Sequence, residues 1–171
     1  KKVVSADGAF AASDIRMTLA ESIPGRFNAR NVDLNRNCDC EWQAEGKWQN
    51  TKVSGGAAAF SEPESQAIQS YVESHDIAGA VVWYSAAGGV FASNCKNGVL
   101  PETQALTDIY AKASGYPAYK DFDFYEITGD MVNWFAKQEI PAISVLLTTH
   151  TDVEWSKNRA GVDAFLNHFA D

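Results

Sequence analysis

The residues best suited to chemistry sit in one short run, Asn31-Val32-Asp33-Leu34-Asn35-Arg36-Asn37. The run fits neither a helical nor a strand repeat. It sets Arg36 between two amides, Asn35 and Asn37, just after the acidic Asp33. A guanidinium grips a carboxylate through two parallel N–H bonds, and an adjacent amide fixes the orientation. The chemistry indicated is capture of a small carboxylate.

Regular elements must hold that loop in place. Lys2-Val3-Val4-Ser5 reads as a short strand entering an Asp7-Gly8 turn. Residues 9–32 show no clean period and read as an excursion, and Glu45 to Gly56 as a surface loop rich in Gly, Asn, Ser and Lys. Ser61 and Glu64 form a capping-box pair around Pro63, and Ala67, Ile68, Tyr71 and Val72 follow at helical spacing. Ala80-Val81-Val82-Trp83-Tyr84 is a continuous apolar run, as in a strand buried on both faces, with Gly88-Gly89 just beyond it. A helix is predicted over roughly Glu102 to Ala113. Another is capped by Thr128 and runs through Met131, Val132, Trp134 and Phe135. Ile143-Ser144-Val145-Leu146-Leu147 is a second buried strand, and an amphipathic helix with Val162, Phe165, Leu166 and Phe169 closes the chain. Strands alternating with helices predict an α/β fold, a mostly parallel or mixed sheet with helices on both faces, in one domain over residues 1–171. Sites in such sheets form at the carboxyl ends of strands, here Tyr84-Ser85 and Leu147-Thr148.

Composition narrows the partners. A 46% hydrophobic content over 171 residues supports a folded core. The net charge of −8 argues against nucleic acid and against an anionic membrane as partner. No apolar run is long enough to span a bilayer. A soluble protein is expected, with secreted, periplasmic and cytoplasmic locations all open. The chain starts Lys1-Lys2 without Met, as a processed product or a fragment would.

The three cysteines, Cys38, Cys40 and Cys95, cannot all pair with one another. Either Cys40 or Cys38 could bridge to Cys95 in an exported protein, or Cys38-Asp39-Cys40 could form half of a metal site. His75 follows a predicted helix, where a cation complements the helix dipole. His150 lies just past the last buried strand, near Asp152 and Glu154, and is the histidine best placed for an unconventional metal site.

Several segments together resemble the zinc carboxypeptidases related to carboxypeptidase A. Arg26-Phe27-Asn28-Ala29-Arg30-Asn31-Val32-Asp33-Leu34-Asn35-Arg36-Asn37 is similar to the family's Arg-x-Asn-Ala-x-Gly-Val-Asp-Leu-Asn-Arg-Asn-Phe. Ala6-Asp7-Gly8 resembles its Asn-Pro-Asp-Gly turn, and Phe60-Ser61-Glu62-Pro63-Glu64 its next helix start. Tyr84-Ser85 falls at its strand-end His-Ser, Tyr125 with Thr128-Gly129-Asp130 and Trp134 at its mobile tyrosine loop, and Pro141 to Leu147 at its last catalytic strand. The resemblance runs from about Val3 to Phe169 and implies a carboxypeptidase-like three-layer sandwich, truncated at its N-terminus.

The resemblance also implies roles. Asn35 and Arg36 would bind a peptide's terminal carboxylate, Arg26 would stabilise an oxyanion, and Tyr125 would fold over the bound residue. Asp130, Met131, Val132 and Asn133 would shape the pocket for the terminal side chain. The zinc of the family is held by His-x-x-Glu and the strand-end His. This sequence has no His-x-x-Glu; its histidines are His75, His150 and His168. The segment bearing the first two ligands would lie upstream of Lys1, Tyr84 holds the third ligand position, and Leu146 (or Leu147) replaces the general-base Glu. The expectation is therefore a chain without its own zinc that binds peptide C-terminal carboxylates, or another small carboxylate, without cleaving them. The alternatives are a portion of an active metallocarboxypeptidase completed by the missing segment, and a structural remnant. A homo-oligomer, or a partner covering the truncated edge, is also expected.

Overall fold

The structure is a computed structural model that describes residues 23–170. The expected strand at Lys2–Ser5, the turns through Ala6-Asp7-Gly8 and most of the 9–32 excursion lie outside the described residues.

Four strands make the main sheet: β3 (Ala80–Ser85), β4 (Gly89–Ala92), β5 (Ala118–Tyr119) and β6 (Ala142–Leu147). Their order is β3-β6-β4-β5. β6 runs parallel to β3, with Tyr84 opposite Leu146 and Ser85 opposite Leu147, and antiparallel to β4. β4 and β5 are parallel, so the sheet is mixed. The uninterrupted apolar run of β6 suits its central place, and Ala142 through Leu146 are all buried.

One expectation about this sheet is corrected, and one strand is added. β3 is an edge strand among the described residues, only half-buried, with Trp83 45% exposed. Its apolar run therefore does not mark burial on both faces. β4 is a strand not expected from the sequence, where Gly88-Gly89 only marked the region beyond β3; all four of its residues are buried. Gly89 belongs there because a Cβ would come within 2.5 Å of the Tyr119 ring on β5.

Helices cover both faces. They are α1 (Pro63–Glu73), α2 (Pro101–Ser114), α3 (Met131–Lys137) and α4 (Trp155–His168). On one face Leu106 and Tyr110 of α2 and Phe165 of α4 pack on Val90, Ile143 and Val145. Gly161 lets α4 approach α2, since a Cβ there would meet the Tyr110 ring at 2.4 Å. On the other face Val72 of α1 and Trp134 and Phe135 of α3 pack on Ala142, with Phe60 set edge-on to Trp134. Leu166, expected on the apolar face of α4, is 60% exposed.

The helix starts also differ from expectation. Glu62, not Ser61, precedes the first residue of α1, and no side chain caps it. Ser61 is occupied elsewhere, bonding Glu62 and Asn37. Asp130, not Thr128, caps α3, its side chain accepting from the Asn133 N–H.

The region from Glu45 to Gly56 is not a plain surface loop. It contains an antiparallel hairpin, β1 (Glu45–Trp48) and β2 (Thr51–Ser54). Gln49 makes its turn at φ 53°. Only Gly46 and Val53 are buried in it, so charged outward residues masked the alternation. Cys40 and Cys95 form a disulfide and Cys38 stays free and buried. The bridge consumes Cys40, which removes the Cys-x-Cys half-site reading. It closes a loop across a sequence separation of 55 residues, worth roughly 4 kcal/mol on the chain-entropy account.

Candidate ligand-binding site

Asp33 organises the opening loop. Its Oδ1 accepts from the Asn35 N–H at 3.1 Å and its Oδ2 from Arg26 Nε at 2.7 Å. This fixes a short helical turn over Leu34–Arg36 and holds Arg26 beside it, with the guanidinium 4.8 Å from the Trp48 ring centre. Asn37 is fully buried and serves the scaffold: its amide donates to Gly55 O and Ala58 O, and its oxygen accepts from Glu62 N–H and the Ser65 hydroxyl.

Asn35 and Arg36 part company. Arg36 is 1% exposed, with Nε donating to Lys47 O at 2.8 Å and Nη1 to Asn35 O. The hairpin lies over it, so closely that a Cβ on Gly46 would sit 3.1 Å from Arg36 Cδ. The guanidinium thus holds two backbone carbonyls and does not line the cavity described next. Arg36 therefore sits under the hairpin while its neighbour Asn35 turns to the cavity.

Asn35 does face a cavity of about 110 Å³, shared with Arg26, Tyr84, Tyr125, Asp130 and Leu146. Its Oδ1 accepts from Tyr84 OH at 2.9 Å and faces the Met131 N–H at 3.5 Å. A backbone N–H can only donate, so the oxygen is the atom turned to Tyr84 and Met131. Burial first, and then the charge of Asp130, push the Tyr84 phenol well above its ordinary range. Tyr84 is therefore a neutral donor that holds the amide of Asn35.

Asp130 is 6% exposed, and its Oδ1 has no hydrogen-bond partner among the described residues. Burial raises its pKa, against the pull of the Asn133 N–H and of nearby Arg36. Tyr125 sits edge-on to Phe122, ring centres 5.1 Å apart. It forms a wall common to the small cavity and a wider cleft of about 680 Å³. His150 lines only the wider cleft, where its Nδ1 lies 2.9 Å from Ser85 Oγ. Val132 and Asn133, implied by the resemblance to shape a pocket, line the small cavity, and so do Ser144 and Trp48, which were not singled out in the sequence as site residues. For Trp48 the signal was the weak alternation of the hairpin.

The described residues do not fit a zinc ion. Among them no group of three or more His, Cys, Asp or Glu could hold a metal. At the position assigned by resemblance to the third ligand, the Tyr84 hydroxyl is neutral and engaged with Asn35. Opposite it, Leu146 has no group that takes a proton.

The sequence profile of the zinc carboxypeptidases matches residues 3–153. The chain belongs to the zinc carboxypeptidase family. Solved structures share the fold of this family member. Murein-tripeptide amidase MpaA from Escherichia coli O157 aligns at TM-score 0.64 and 20% identity, over 82% of this chain and 59% of its own. Carboxypeptidase A from Helicoverpa armigera aligns at TM-score 0.60 and 21% identity, over 80% and 41%. Bovine thrombin-activatable fibrinolysis inhibitor aligns at TM-score 0.62 and 15% identity, over 83% and 59%. The chain thus spans about half the length of these neighbours. Comparison with curated proteins gives no match.

Proposed function

We propose that this zinc carboxypeptidase family member binds the free C-terminus of a peptide without hydrolysing it. Asn35 and Arg26 meet the terminal carboxylate and the small cavity takes the terminal side chain. The observation that supports the reading is the Tyr84 OH to Asn35 Oδ1 bond. It occupies the oxygen of the amide, so the NH₂ is the group Asn35 offers a ligand. Arg26 keeps its two Nη groups after Nε is taken by Asp33. Together they supply charge-assisted donors for one carboxylate. Cleavage is not expected of these residues, because Leu146 cannot accept a proton from water and Tyr84 remains a neutral donor. The Cys40–Cys95 bridge favours an oxidising compartment for the protein.

Calorimetry with paired peptides, free acid and C-terminal amide, tests the reading. Peptides of the murein-tripeptide and ordinary protein type suit the trial, given the names of the structural neighbours. The free acid is expected to bind about tenfold or more tightly than the amide, the worth of hydrogen bonds to a charged group. Equal affinities would sink carboxylate recognition. Release of the terminal residue would instead favour the alternative, a portion of an active enzyme.

A further inference from the structure

Ser85 and His150 lie 65 residues apart in sequence, yet Ser85 Oγ and His150 Nδ1 are 2.9 Å apart. The parallel pairing of β3 with β6 brings them together. It sets Ser85 opposite Leu147, at the carboxyl ends of both strands, and the chain then carries His150 over that end. Ser85 lines both the small cavity and the wider cleft. His150 stands on the cleft side, among Trp48, Phe122, Phe124 and Tyr125. A hydroxyl within hydrogen-bond reach of an imidazole, in a strand-end cleft with aromatic walls, supplies the nucleophile and the base of an activated serine.

We propose that Ser85 and His150 form an acyl-transfer site that hydrolyses carboxylic esters with an apolar or aromatic acyl group. Ser85 Oγ bonds the acyl carbon while its proton passes to His150 Nδ1. The bond from that carbon to the alcohol oxygen breaks, and the departing alcohol takes the proton back from His150. Water then attacks the acyl-serine, giving a proton to His150. The Oγ–carbon bond breaks, Ser85 recovers its proton and the acid leaves. The only co-reactant is water. Arg26, which shares the small cavity with Ser85, is the positive charge there for the transient oxyanion. No carboxylate among the described residues hydrogen-bonds His150, so its ring is not oriented as in a full triad. Hydrolysis should therefore be slow, and covalent labelling is the more sensitive readout.

The intact protein is treated with a fluorophosphonate probe, and labelled peptides are identified by mass spectrometry, beside hydrolysis of p-nitrophenyl acetate. The expected result is one label per chain, on Ser85. Ser85→Ala should lose it and return hydrolysis to the solvent rate, and His150→Gln should slow labelling about 100-fold, within the range set by a general base. Both side chains are exposed, so the variants should melt as the parent does. Absence of label on Ser85 overturns the proposal. So does labelling of Ser85 at an undiminished rate in His150→Gln, which would mean the histidine only bonds a surface hydroxyl.

Discussion

Two adjacent residues, Asn35 and Arg36, have opposite fates, and mutation should separate them. Arg36 is locked beneath the hairpin on two carbonyl oxygens and near the buried Asp130. Arg36→Met should remove roughly 3 kcal/mol of stability, because it strands buried acceptors and leaves an acid without its nearby cation. Urea unfolding would show this as a lower midpoint at unchanged slope. A variant as stable as the parent would mean the guanidinium is free to serve a ligand after all. The sequence marked the pair as a site but not which side chain turns inward. That choice is made by Gly46, whose missing Cβ lets the hairpin close over Arg36. Tyr84 could be placed at a strand end from the sequence, while its bond to Asn35 could not be read there, since those residues are 49 positions apart.

The elements that present the site depend on how β6 hands over to α4. Glu154, at φ 47°, ties the connection together. Its carboxylate accepts from Thr148 N–H at 2.6 Å, Thr148 Oγ1 at 2.9 Å, Tyr116 OH at 2.8 Å and Lys157 Nζ at 2.8 Å. The Lys157 bond, followed by that of the Thr148 N–H, holds its pKa at about 2, below the ordinary 4.5. A depressed folded-state pKa adds stability above the unfolded value, lost as pH falls through the folded one. The parent should therefore lose stability between pH 4.5 and about 2, and Glu154→Gln should show a flatter profile there. Denaturant midpoints against pH check this, and parallel profiles would dismiss the network. Long apolar elements such as β6 and α2 were legible in advance because burial dictates their residues. β4 and the hairpin were not: a glycine pair hid the first, and outward Glu45, Lys47, Thr51 and Lys52 hid the second.

Across the whole molecule, a mixed sheet with helices on both faces brings the strand ends, the loop of Asn35 and the aromatic segment around Tyr125 to one cavity. The fold is that of the family, and the neutral Tyr84 and the apolar Leu146 both line the cavity. The fold class could be read from the sequence because element order and periodicity are set by local burial. The division of labour within the site could not, since it depends on which side chains a distant hairpin and strand cover or brace. The central claim is that Tyr84 acts through Asn35 on a bound carboxylate, and a double-mutant cycle in peptide affinity tests it most directly. Parent, Tyr84→Phe, Asn35→Ala and the double variant would each be titrated with one free-acid peptide. Asn35→Ala should cost about tenfold in affinity and Tyr84→Phe several-fold, the loss of bonds to or oriented for a charged group. The double variant should bind no more weakly than Asn35→Ala alone, because coupled residues are not additive. Additive losses, or affinities that none of the substitutions alters, would contradict the account.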